Sequence, residues 1–180
     1  MQRRHFISTL AAGSAYLVPA RVYADVLTHG NKISVRCLGD KPGPRFLDGR
    51  TANATVGLAP DLSKKFSGTK WEVIRAGEGI ITLKCLGVVA GAPWLDGRTA
   101  TKTVGLAPNT NAPYTGTRWK IVRIDPNNQD IVALECLGAI NGPRWLDGRT
   151  GDGSVGLAPS TDAPFTGTKW EVRLYPVVID

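Results

Sequence analysis

An aspartate and an arginine two residues apart recur three times in this chain: Asp48 and Arg50, Asp96 and Arg98, Asp147 and Arg149. They sit in the hexapeptide FLDGRT at residues 46–51 and in WLDGRT at 94–99 and 145–150. A carboxylate accepts hydrogen bonds, and a guanidinium offers donors in a fixed planar fork. Together they suit the hydroxyl groups of a sugar. Three loop aromatics, Phe66, Tyr114 and Phe165, recur in KKFSGT, APYTGT and APFTGT. Their faces could stack on a sugar ring, so the nine residues together make a candidate carbohydrate site in each copy. The same pattern has a structural reading. The Asp can accept backbone N–H groups at a strand end or pair with its Arg, and the ring can pin its loop to the body of the protein. The residue types favour this structural corner and leave the sugar site open beside it.

Other chemistry finds little support. Beyond the first 24 residues there is one histidine, His29, and the glutamates are Glu72, Glu78, Glu135 and Glu171. No nucleophile–base arrangement, paired carboxylates, phosphate loop or zinc spacing stands out, so no enzyme and no cofactor are expected. Cys37, Cys85 and Cys136 share the context Cys-Leu-Gly in apolar strands, which predicts buried core thiols in preference to a metal site.

The start of the chain predicts export. Arg3-Arg4-His5-Phe6-Ile7 is followed by an uncharged, moderately apolar run and ends in small residues near Ala24. That is a secretory signal over residues 1–24, of the bacterial twin-arginine type, with the general secretory route as the alternative. The protein is then periplasmic or extracellular. The leader holds Arg3, Arg4 and Arg21, which leaves 19 basic against 15 acidic residues, a charge of +4. The charges are interleaved, so nucleic acid is not an expected partner, and no transmembrane segment is expected after the leader.

The elements that position these residues follow from the repeat. Equivalent Cys, Asp and Trp residues are 48 and 51 positions apart, with 11 from Cys to Asp and 23 from Asp to Trp in every copy. The units run over about 31–78, 79–129 and 130–180 within a single domain, 25–180. Three extra residues fall in the turn Asp125–Asp130. Each unit reads as four short strands: an alternating first strand such as Ile33, Val35, Cys37; a second ending in LDG; a third, VGLAP; and a fourth led by Trp71, Trp119 or Trp170. Gly151-Asp152-Gly153 marks a hairpin. Phe46, Trp94 and Trp145 are expected in the core with the fourth-strand tryptophans.

With its period, its threefold count and its spaced Cys-Leu, aromatic-Leu, Val-Gly-Leu and Trp landmarks, the chain resembles the β-trefoil proteins, a group with ricin-B-like and fascin-like members, from about Ile33 to Leu174. The resemblance implies an all-β fold of twelve strands in three pseudo-symmetric units. It also implies a lectin-like, carbohydrate-binding module. Ricin-type lectins carry Cys-Leu-Asp and Gln-x-Trp at their sugar site; this chain has Cys-Leu-Gly, with Asp40 one step later in the first unit only, and Thr-x-Trp. The usual sugar site is therefore not implied. A protein-binding module such as a protease inhibitor, acting through the Asp125–Asp130 turn, and a structural envelope protein are the alternatives.

Overall fold

The computed structural model describes residues 25–176, so the predicted leader lies outside the described residues. Period-two alternation builds twelve antiparallel strands. The first strands of the three units are β1 (Lys32–Cys37), β5 (Ile80–Cys85) and β9 (Ile131–Cys136). The second strands are β2 (Phe46–Arg50), β6 (Trp94–Arg98) and β10 (Trp145–Arg149), and the third are β3 (Thr55–Ala59), β7 (Thr103–Ala107) and β11 (Ser154–Ala158). The fourth are β4 (Trp71–Gly77), β8 (Trp119–Arg123) and β12 (Trp170–Leu174). Second and third strands form hairpins in one shared register, with Asp48 opposite Gly57, Asp96 opposite Gly105 and Asp147 opposite Gly156. Each fourth strand pairs with the first strand of the next unit, and β12 returns to β1, which joins the last strand to the first.

Pairing between units overturns one expectation. The strands close a ten-strand antiparallel barrel with two strands outside it, and a β-trefoil is not a closed barrel of this kind. The ring can be followed through β1, β2, β3, β11, β7, β6, β5, β8, β9 and β12, with β4 and β10 off it. The physical reason lies at the third strands. Thr55 pairs with Gly105, Ser154 with Gly57 and Gly156 with Thr103, so the hydrogen-bonded path runs through the hairpins of neighbouring units. A period reports the strands of one unit and carries no information on such contacts. The expected all-β class and the four strands per unit hold.

Trp71, Trp119 and Trp170 fill the interior and are fully buried. Each indole Nε1 donates to the carbonyl of the leucine in the repeated hexapeptide: Leu47 at 2.9 Å, Leu95 at 3.1 Å and Leu146 at 2.9 Å. Buried indoles need such a partner. Phe46, Trp94 and Trp145 are half-buried, contrary to expectation. In each pair alternation turns Leu47, Leu95 or Leu146 into the core and leaves the aromatic on the outer face. Leu27 plugs the core from the amino-terminal segment. Asp25 ties that segment down through Arg75 at 3.1 Å and Arg123 at 3.0 Å.

Candidate functional site

The hexapeptide is a junction between consecutive units, and each of its positions has a separate task. Its glycine lies between the tryptophan of its own unit and the cysteine of the next. A Cβ on Gly97 would stand 2.6 Å from Cys136 Sγ and 3.0 Å from Trp119. Gly49 meets Cys85 and Trp71 in the same way, and Gly148 meets Cys37 and Trp170. The thiols donate to these glycine carbonyls at 3.3 Å. Burial pushes all three thiol pKa values up, that of Cys85 to about 11, so they remain protonated core groups.

Strand alternation puts Asp and Arg, two apart, on one face. The carboxylates sit low, with Asp48 and Asp96 6% exposed and Asp147 7% exposed. The arginine side chains are half-exposed. Each guanidinium lies across the glycine of the adjoining third strand, Gly57, Gly105 or Gly156, where no side chain obstructs it. Arg Nε is 3.6, 3.6 and 3.8 Å from the Asp Oδ2 of its own unit. These separations are those of ion pairs, longer than a close hydrogen bond. Desolvation raises the pKa of all three aspartates, and the neighbouring arginine only partly offsets it.

The loop aromatics arrive on short 3-10 turns, Lys64–Thr69, Thr115–Thr117 and Thr166–Thr168. A fully buried threonine locks each turn: Thr69 Oγ1 donates to Phe66 O at 2.8 Å, Thr117 to Tyr114 O at 2.9 Å and Thr168 to Phe165 O at 2.8 Å. The glycine between them covers the aspartate. A Cβ on Gly116 would be 2.0 Å from Gly97 O and 2.7 Å from Asp96 Oδ1, so only glycine fits.

These elements converge on three equivalent clefts. Asp48, Arg50 and Phe66 line the first, of about 200 Å³. Asp96, Arg98 and Tyr114 line the second, of about 210 Å³. Asp147, Arg149 and Phe165 line the third, of about 440 Å³. All nine sequence-predicted residues thus meet, three to a cleft, and the aromatics are half-buried, with part of each ring left to solvent. The far wall comes from the loop after the cysteine of the next unit, and sequence reasoning missed it. It brings Val89 to the first cleft, Ile140 to the second, and Asp40 with Lys41 to the third. Val89, Ile140 and Lys41 each stand four residues after the cysteine, a register the repeat already contained. Hexapeptide threonines hold this wall: Thr51 Oγ1 donates to Val89 O at 2.5 Å and Thr99 Oγ1 to Ile140 O at 2.6 Å. In the third cleft Thr166 Oγ1 donates to Asp40 Oδ1 at 3.0 Å.

The Asp125–Asp130 turn is stitched by its own side chains. Asp125 accepts from Asn127 N at 2.9 Å, Asn128 accepts from Asp130 N at 3.0 Å, and Arg123 bonds the Gln129 carbonyl. No helix of the described residues is long and apolar enough to cross a membrane.

No protein-family model and no curated protein matches this chain.

Proposed function

We propose that the chain is an exported, non-catalytic carbohydrate-binding module in which each cleft takes one sugar unit. One observation carries this reading: a largely buried carboxylate, a half-exposed arginine and a fixed aromatic ring line the same cleft in all three units. Such a set can engage a sugar at once through its hydroxyl donors, its oxygen acceptors and its apolar ring face. Each carboxylate stays 3.6 to 3.8 Å from its arginine, and the 9% of its side chain that is exposed lines the cleft as an acceptor.

Glycan-array binding at moderate salt tests the reading. Saturable binding to one sugar class, competed by free sugar, is expected. Tyr114→Ala should weaken it at the second cleft by about tenfold with little change in melting temperature. A blank array with folded protein overturns the proposal. Export rests on the leader, and replacing Arg3 and Arg4 by Lys should retain the precursor in the cytoplasm; unchanged export would point to the general route.

A further inference from the structure

The three clefts share the Asp–Arg–aromatic set, with Lys65 Nζ over the Phe66 ring in the first, and they differ on the opposite wall. Among the described residues four large apolar side chains are strongly exposed, and three of them, Val88 at 84%, Val89 at 57% and Ile140 at 61%, belong to this wall or adjoin it. Val89, next to Val88 in the chain, lines the first cleft, and Ile140 lines the second. The carbonyls of Val89 and Ile140 accept from Thr51 and Thr99, which holds these two residues in place. At the equivalent position the third cleft has Lys41, beside Asp40.

We infer that the first and second clefts select sugars bearing an acetamido group, and that the third does not. The inference rests on the carbohydrate reading above. An acetamido group offers an N–H donor, a carbonyl acceptor and a methyl. Asp48 or Asp96 accepts the N–H, Arg50 or Arg98 donates to the carbonyl, and Val89 or Ile140 covers the methyl. Lys41 gives the third cleft a charged wall, which leaves that methyl in water.

Calorimetric titration of the full chain with sugar pairs that differ only in the acetamido group, such as glucose with N-acetylglucosamine and galactose with N-acetylgalactosamine, tests this. The acetamido partner should bind about tenfold tighter, from burial of the methyl and the added hydrogen bonds, at two sites per chain. Val89→Lys with Ile140→Lys should erase the preference, and Lys41→Ile should raise the stoichiometry to three. All three positions lie on an exposed loop wall, so melting temperatures should stay unchanged. Equal affinity within each pair, or a preference that survives the double substitution, overturns the inference while leaving sugar binding intact. Failure of both the pairs and the array to bind overturns the carbohydrate reading itself.

Discussion

Asp48, Asp96 and Asp147 are the residues at which stability and the proposed sugar binding should depend on pH in opposite directions. Desolvation raises their pKa values, and Arg50, Arg98 and Arg149 restore only part of the loss. A carboxyl whose folded pKa exceeds its unfolded value holds its proton more tightly in the folded state. Between those two values the folded protein binds more protons, so this contribution to stability falls as pH rises through the window. Replacing all three by Asn should remove that step, seen as a difference in melting temperature between wild type and variant that widens in the variant's favour as pH rises from below the ordinary aspartate range. A difference that does not vary with pH would contradict the assignment. Sugar binding should show the reverse dependence, strengthening over the same window as the carboxylates ionise, and the Asn variant should lack it. The outward position of Phe46, Trp94 and Trp145 also belongs to this scale: an aromatic–leucine pair in a strand must turn one member out, and the pair alone does not say which.

At the scale of the element, the unit aromatic-(Ser/Thr)-Gly-Thr-x-Trp behaves as one rigid turn. The tryptophan anchors it in the core, the threonine orients the aromatic carbonyl and the glycine permits contact with the hexapeptide backbone. Gly116→Ala would force a Cβ to within 2.0 Å of Gly97 O. The expected cost is about 3 kcal/mol, or a fall of roughly 6–12 °C in melting temperature by thermal denaturation, with loss of binding at the second cleft. A variant that melts like wild type would show that the turn can withdraw from the aspartate, and would remove it as the positioning device.

For the molecule as a whole, threefold repetition places three clefts on one scaffold whose last strand, β12, pairs with its first, β1. A glycan with several recognised units should therefore bind more tightly than its monosaccharide by about a hundredfold or more, through effective concentration alone. Surface-binding measurements on monomeric and polymeric forms of one sugar would check this, and equal apparent affinities would mean that the clefts cannot be engaged together. The charges differ around the ring as well: Lys65 adjoins the first cleft, whereas Asp40, Lys41 and Asp152 adjoin the third.

The sequence by itself determined the all-β class, the three units, the twelve strands and the nine residues of the clefts, because period-two alternation and strict spacing are local properties of the chain. It also made the three thiols core groups, through their place in apolar strands. Tertiary structure alone decided the closed barrel, since the links among β3, β7 and β11 join residues from different units. It likewise decided that each cleft borrows its far wall from the next unit. Val89, Ile140 and Lys41 carry no sign of that role until the strand ring brings each beside an Asp–Arg pair from the preceding unit, with the third unit meeting the first.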